Sequence, residues 1–364
     1  MAAPAPPTPS EFVAALPKLE LHVHIEGTLT PALRWRLAKK NSIPLPYATF
    51  EELEASYKVM YNHRKKARGD NGNPTFLDAY YGGMEVLRTE DDFYDLAMEY
   101  FAKAKEMNVR YAESFFDPQA HTRRGVEIES VMKGLKRAKI DAERDLGVSS
   151  NWILCFLRDM SPESAMEHYE AALPYRDAFV AIGLDSDEYD RPPSLFFEVF
   201  QRARDDGFKI TAHCDVYQKD THAHINQVIT QLGGYGADRI DHGLNAADKP
   251  QLIEAIKARG IGMTLCPHAY HRHEATEMVF PLIRSLYDAG IPVTINSDDP
   301  TYMHGNWVEH NLELARRQCP FNMQELLQLQ RNAVKISWAG ESIKEKILAE
   351  VMEIEGKLVV ESRN

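Results

Sequence analysis

Short apolar runs recur along the chain, and between them lie stretches in which apolar residues return every three or four positions. Eight runs stand out, at 20–26, 109–116, 151–158, 179–185, 209–214, 239–243, 261–267 and 292–298. They are rich in β-formers and mostly apolar on both faces, as strands of a parallel sheet covered on both sides should be. Residues 126–146 set apolar positions at i, i+3, i+4 and i+7 against a charged face, and 194–206, 222–233, 248–259 and 277–289 behave similarly. Gly207, Gly260 and Gly290 stand where such helices stop before the next strand. Eight strands alternating with helices predict an α/β chain of the (β/α)8 TIM-barrel class. A doubly wound sheet is the second choice, but no glycine-rich phosphate loop follows the first strand.

The alternation is interrupted once. Residues 30–108 are too long for a single crossover helix. A helix is expected after Thr30-Pro31 and another at about 49–60, then a basic stretch, His63 to Arg68, and a turn-forming one, Gly69 to Pro74. Aromatic helices follow, carrying Phe76, Tyr80, Tyr81, Phe93, Tyr94, Tyr100 and Phe101. An insertion after strand one of a barrel stands on its catalytic face, so 30–108 reads as a helical lid. The basic stretch reads as a solvated face. Helices at 309–317, 323–337 and 341–355 should close the outside of the barrel, and residues 1–10 read as a disordered Ala/Pro-rich lead to one domain spanning 11–364.

Charge and cysteine content narrow the partners. A net charge of −12 leaves no general basic surface for a nucleic acid. No apolar run approaches a membrane span, and no secretory signal precedes the first strand. Cys155, Cys214, Cys266 and Cys319 are widely spaced and suit a reducing compartment, so the cytoplasm is the expected location. A homo-oligomer is left open.

The polar residues fall at the strand tips: His22, His24 and Glu26, then Glu113 and Asp117, Arg158, Asp185, His213, His242, His268 just past its run, and Asp298 with Asp299. In a barrel these ends surround one point. His22 and His24 alternate onto one face of strand one. With His213 from strand five and Asp298 from strand eight they offer three imidazoles and one carboxylate, leaving an open position for water, as a catalytic zinc site does. One Zn2+ per chain is therefore expected. His242 stands close enough to hold that water or take its proton. Asp299, beside a ligand and facing the other way, is suited to hydrogen-bond a substrate.

These pieces together resemble the adenosine/adenine deaminase family of metal-dependent amidohydrolases. The segments that carry the resemblance are 17–29 (PKLELHVHIEGTL), Gly183-Leu184-Asp185, Thr211-Ala212-His213, Ile240-Asp241-His242-Gly243, Leu265-Cys266-Pro267 and Asn296-Ser297-Asp298-Asp299-Pro300. The stretch 116–125 (FDPQAHTRRG) resembles the free-base, adenine-deaminase branch. The resemblance implies a (β/α)8 barrel, Zn2+ held by His22, His24, His213 and Asp298, His242 as the water-orienting base, and substrate contacts at Gly183 and Asp299, with Asp185 at the same strand tip as Gly183. It implies a purine-like small molecule as partner. Glu26 stands where a shorter Asp would bind a ribose hydroxyl, so it favours a free base such as adenine or an N6-substituted adenine. Its other reading is an acid standing behind the contact layer.

The sequence departs from the family after strand five. There the family reads His-Ala-Gly-Glu, and the Glu protonates a ring nitrogen during attack. This chain reads His213-Cys214-Asp215-Val216, and valine donates no proton. General acid help is worth about 10²–10⁴ in rate. Asp215 replaces the acid, or the substrate is another aminated heterocycle or cyclic amide needing a different acid, or the chain is a catalytically silent purine binder. After strand seven, His268, His271 and His273 either recognise a different heterocycle or form a solvated loop. His222 and His224 lie on a predicted helix, where i and i+2 diverge. His63, His121, His168, His304 and His310 read most simply as surface or structural, with His304 near the site rim.

Overall fold

The structure, a computed structural model, describes residues 8–58, 76–273 and 276–361. The strands are β1 (Lys18–His24), β2 (Val109–Phe116), β3 (Ser149–Leu157), β4 (Phe179–Asp185), β5 (Lys209–Ile210), β6 (His213–Cys214), β7 (Arg239–His242), β8 (Gly262–Leu265) and β9 (Val293–Ile295). Every pairing is parallel, in the orders β1-β2-β3-β4-β5 and β6-β7-β8-β9. The expected fifth strand, 209–214, is one path broken at Thr211–Ala212. Backbone bonds carry the barrel across the break: Thr211 N–H donates to Ile182 O at 3.1 Å and Asp241 N–H to Ala212 O at 3.0 Å. The other seam closes where Val23 bridges Asp298. There His24 N–H donates to Asp298 O and Asp298 N–H to His22 O, each at 3.0 Å. The result is an eight-stranded (β/α)8 barrel with helices between and outside the strands.

The barrel interior is filled at its base. Glu113, expected at the catalytic end, lies inside the floor instead. It sits three residues before the end of β2, and there it accepts from Arg239 Nη1 at 2.5 Å and from the Trp338 N–H at 2.5 Å. The Arg239 guanidinium lies 4.0 Å above the Trp338 ring. Phe115, Ile153, Cys155 and Ala181 pack over this plug.

The insertion splits in two by its packing. Its last helix, Glu90–Glu106, packs on the outer helix Ile128–Leu146, and Arg137 reaches Glu90 and Asp91, each at 2.7 Å. Gly134 allows this closeness, since a Cβ there would stand 2.4 Å from Glu90 O. Glu90–Glu106 is thus part of the barrel's outer layer. Helix Phe76–Gly83 instead sends Phe76, Tyr80 and Tyr81 to the mouth of the barrel. The basic and turn-forming stretches at 63–74 fall outside the described residues. The first helix begins at Pro9, capped by Thr8, so residues 9 and 10 of the expected lead are helical. No helix among the described residues is long and apolar enough to cross a membrane.

Candidate active site

The ends of β1, β6 and the turn after β9 bring four side chains together. His24 Nε2 lies 3.1 Å from His213 Nε2. Asp298 Oδ1 lies 3.4 Å from His22 Nε2 and 3.6 Å from His24 Nε2. Tetrahedral ligands about 2.1 Å from a zinc stand about 3.4 Å apart, so these spacings suit that ion. Asp298 reaches the group because its backbone turns into the left-handed region, φ 67°, directly after the last strand. His242 does the same at φ 60°, and its Nε2 lies 3.9 Å from Asp298 Oδ2.

The outer nitrogens of His22 and His213 are hydrogen-bonded from behind. His22 Nδ1 meets Thr264 Oγ1 at 2.9 Å, and that hydroxyl donates to Asp241 Oδ1 at 2.8 Å. Asp241 Oδ2 accepts from Thr211 Oγ1 at 2.6 Å. His213 Nδ1 lies 3.1 Å from Leu184 O, and His24 Nδ1 lies 3.5 Å from Asp185 Oδ2. Such backing fixes which nitrogen faces a metal. Burial favours the neutral form of all three rings, lowering His22, taking His24 to about 3 and holding His213 well below its usual range. Burial alone would raise Asp298, but the hydrogen bond to His22 and the surrounding imidazoles hold it well below the ordinary carboxylate value. Neutral imidazoles and an ionised carboxylate are the forms that bind a cation.

This group opens into a cavity of about 1110 Å³. His24, His213, His242, Asp298, Asp299, Asp185 and Asp215 are in its wall, joined by Asp117, Tyr80, Glu188 and Ala269. Asp299 sits against Gly27 so closely that a Cβ on Gly27 would stand 2.1 Å from Asp299 Oδ1. The cavity wall does not include Glu26 or Gly183. Glu26 Oε1 accepts from the Asp117 N–H at 3.1 Å and meets His121 Nε2 at 2.8 Å, so it stands behind the wall. Gly183 lies within β4, where a Cβ would meet Cys155 Sγ at 2.5 Å. Asp117 and Asp185 are both raised well above the ordinary carboxylate range, by burial first. The charge of Glu26 adds to the shift at Asp117, and that of Asp117 to the shift at Asp185.

The altered segment after β6 is tightly held. Val216 packs in the apolar core, while Asp215 and Gln218 reach the cavity. Asp215 Oδ1 accepts from the Val216 N–H at 2.7 Å, and the Asp215 N–H donates to Glu188 Oε1. Arg158 Nη1 lies 3.1 Å from Glu188 Oε1 and donates to His213 O at 3.0 Å. Arg158, a strand tip in the sequence, thus faces the segment rather than the cavity.

The remaining histidines separate. His121, read as surface or structural, is buried against Glu26 and Arg124. His222 pairs with Asp248 and His224 with Glu188, so the two do not converge. Residues 267–273 form a helix that gives the cavity Ala269, and gives His242 a partner in Tyr270, whose hydroxyl lies 3.0 Å from His242 Nδ1. His268 bonds to Asn306, and neither it nor His271 is in the cavity wall. Sequence reasoning gave no site role to Tyr270, Glu188 or Thr264, because aromatic, acidic and hydroxyl residues of these kinds are common, and it placed Tyr80 only among the aromatic residues of the lid. Asp241 lay inside a recognised motif without a role.

A closed parallel barrel with a histidine pair on its first strand, a histidine on its fifth and an aspartate after its eighth defines a barrel hydrolase of the amidohydrolase class. Residues 17–354 match the family model described as Adenosine deaminase. The chain is 44% identical over 335 residues to an uncharacterized deaminase of Schizosaccharomyces pombe, covering 91% of this chain and 93% of that protein. It is 40% identical over 346 residues to an adenine deaminase of Acinetobacter baylyi, covering 95% and 99%. A crystal structure of an adenine deaminase from Arthrobacter aurescens aligns with a TM-score of 0.83 at 37% identity, over 93% of this chain and 98% of that one. An amidohydrolase from Burkholderia ambifaria, crystallised with bound Zn, aligns at 0.85 and 27% identity, over 99% and 97%. The chain belongs to the adenosine deaminase family, hydrolases that act on C–N bonds other than peptide bonds.

Proposed function

We propose that the protein is a zinc-dependent aminohydrolase of a free purine base, adenine or an N6-substituted adenine. The observation that carries this reading is the chain of close approaches that joins His213, His24, Asp298 and His22: His24 Nε2 lies 3.1 Å from His213 Nε2, and Asp298 Oδ1 lies 3.4 Å from His22 Nε2 and 3.6 Å from His24 Nε2. A Zn2+ held there would lower the pKa of a bound water to about 7 and so supply the nucleophile. Water adds to the ring carbon bearing the amine, and ammonia or an amine leaves. His242 takes and returns the water's proton through Nε2, with Tyr270 fixing its ring from Nδ1. Asp299 hydrogen-bonds the base. Asp215, whose side chain stands in the same cavity wall, gives the ring nitrogen the proton that Val216 cannot while it is in its carboxylic acid form, and recovers a proton from that nitrogen as the amine leaves.

Measurement of metal content together with ammonia release from adenine, N6-alkyl adenines, adenosine and pterins tests the reading. One zinc per chain and turnover of a free base are expected. Stoichiometric metal with no turnover on any of them overturns it in favour of a silent binder. His22→Ala is expected to lose the zinc, and its retention would remove the ligand assignment.

A further inference from the structure

Asp117 and Asp185 stand against one another, 1% and 2% exposed, and no N–H or O–H donor of the described residues lies within hydrogen-bond reach of Asp117 Oδ1 or of either carboxylate oxygen of Asp185. Both stand in the cavity wall. Buried carboxyl oxygens that no N–H reaches are rare in folded proteins and call for an explanation. These have a further property. Ligating atoms of His24, Asp117 and Asp185 all lie within 4.8 Å of one another, and Asp185 Oδ2 lies 3.5 Å from His24 Nδ1. The acceptors are therefore one imidazole's breadth from the Nε2 that joins the ligand group. A bicyclic base that presents its six-membered ring to that group carries its five-membered ring about as far along.

We propose that Asp117 and Asp185 are specificity-determining residues that accept the imidazole-ring N–H of a free purine base. The inference rests on the purine-base reading above and deepens it. A free base carries one such hydrogen, on N7 or N9. A nucleoside or a 9-alkyl purine carries none, and would leave the buried carboxylates without donors, which is the kind of mismatch that polar sites reject most strongly. Asp117 is aimed by its neighbours. The Tyr80 hydroxyl donates to Asp117 Oδ2 at 3.1 Å, and Glu26 Oε1 holds the Asp117 N–H at 3.1 Å. His121 and Arg124 in turn brace Glu26, at 2.8 Å and 2.7 Å along the chain of contacts. Glu26 thus acts on the choice between base and nucleoside as a positioning residue, without touching the substrate.

The experiment compares zinc-loaded wild type with Asp117→Asn and Asp185→Asn. It reads kcat and KM for adenine and 9-methyladenine, the calorimetric affinity for purine and 9-methylpurine, and metal content. Wild type should prefer the N–H form by at least about 100-fold in kcat/KM. Either variant should shrink that preference about tenfold or more, mainly through KM, with zinc content unchanged. An unchanged preference in a folded variant overturns the proposal. So does a second equivalent of metal in wild type that either variant loses, since the carboxylates would then be cation ligands. The two readings fail separately. If purine is bound over 9-methylpurine but no base is turned over, the carboxylate assignment stands and the deaminase reading falls. Turnover without discrimination does the reverse.

Discussion

Asp298 and His242 hold backbone conformations that cost a non-glycine residue about 1–2 kcal/mol each. His242 ends β7 and Asp298 follows β9 by three residues, with φ 60° and 67°, and both turn a side chain into the site. Strain at these positions is compatible with function because the strands before them are fixed by barrel hydrogen bonds. Lys18, at the opposite end of β1, illustrates a different single-residue effect. Its ammonium is fully buried and donates to Ala14 O at 2.9 Å and Leu16 O at 3.1 Å. Burial lowers its pKa from 10.5 to about 8, with Glu309 opposing. As pH rises, the folded form loses this proton first, so the unfolded form binds more protons between about pH 8 and 10.5. Stability contributed by this residue must then increase over that window. Denaturant midpoints at pH 7.5 and 9.5 should show the rise in wild type relative to Lys18→Met, and parallel profiles would contradict it.

Among the elements, the two-residue strand β6 carries the largest burden. It supplies His213 and leads into Asp215, yet its own ladder is short. The clamp beneath it compensates. Arg158 comes from the end of β3 and Glu188 from the turn after β4, and together they hold His213 O and the Asp215 N–H. Breaking a buried ion pair by removing one partner costs about 3–5 kcal/mol. Glu188→Gln keeps the shape but removes the charge facing Arg158. It should lower stability by about 3 kcal/mol, read from the denaturant midpoint. It should also reduce kcat about tenfold or more while zinc content holds, because the segment bearing the proposed acid loosens. A variant with normal kcat would show that this clamp supports the fold alone. The helix 267–273 teaches a related lesson. Its histidines drew attention in the sequence, but the helical turn directs Tyr270 to His242 and leaves His268 on Asn306. Side-chain direction on a helix depends on its rotation against the barrel, which residue type does not encode.

On the scale of the whole molecule, the barrel consists of two sheets joined at two seams. The candidate metal ligands span both: His22 and His24 belong to the first sheet, while His213 and Asp298 belong to the second or its end. A bound ion would therefore tie the sheets together and stabilise the folded barrel by linkage, by about 4 kcal/mol at a thousandfold excess over its dissociation constant. Chelation should lower the melting temperature by on the order of 10 °C. It should also speed hydrogen exchange at the His24 and Asp298 amides, which cross one seam. Reloading with zinc should restore both. A melting temperature indifferent to metal would argue against a site at this junction.

The barrel was legible because strand periodicity and helix amphipathicity are local, and eight repetitions leave few architectures. β2 and β4 match their expected ranges, and helix Ile128–Leu146 begins two residues inside its expected start. That His22, His24, His213 and Asp298 come near one another was legible too, since residues at the C-terminal ends of barrel strands must converge. What the sequence could not decide is how far each side chain reaches and which way it points. Glu113 went to the floor because it lies a turn of the pleat too early on β2, and Glu26 went behind the wall because Asp117 and His121 offered it partners there. Only packing in three dimensions puts Glu188 under Asp215 across 27 residues of chain, or Tyr270 beside His242 across 28. The sequence by itself determined the barrel and the residues available for a metal. The tertiary structure decided which carboxylates meet the cavity, because a buried acid goes where donors, space and neighbouring charge allow, and those are set by elements far apart in the chain.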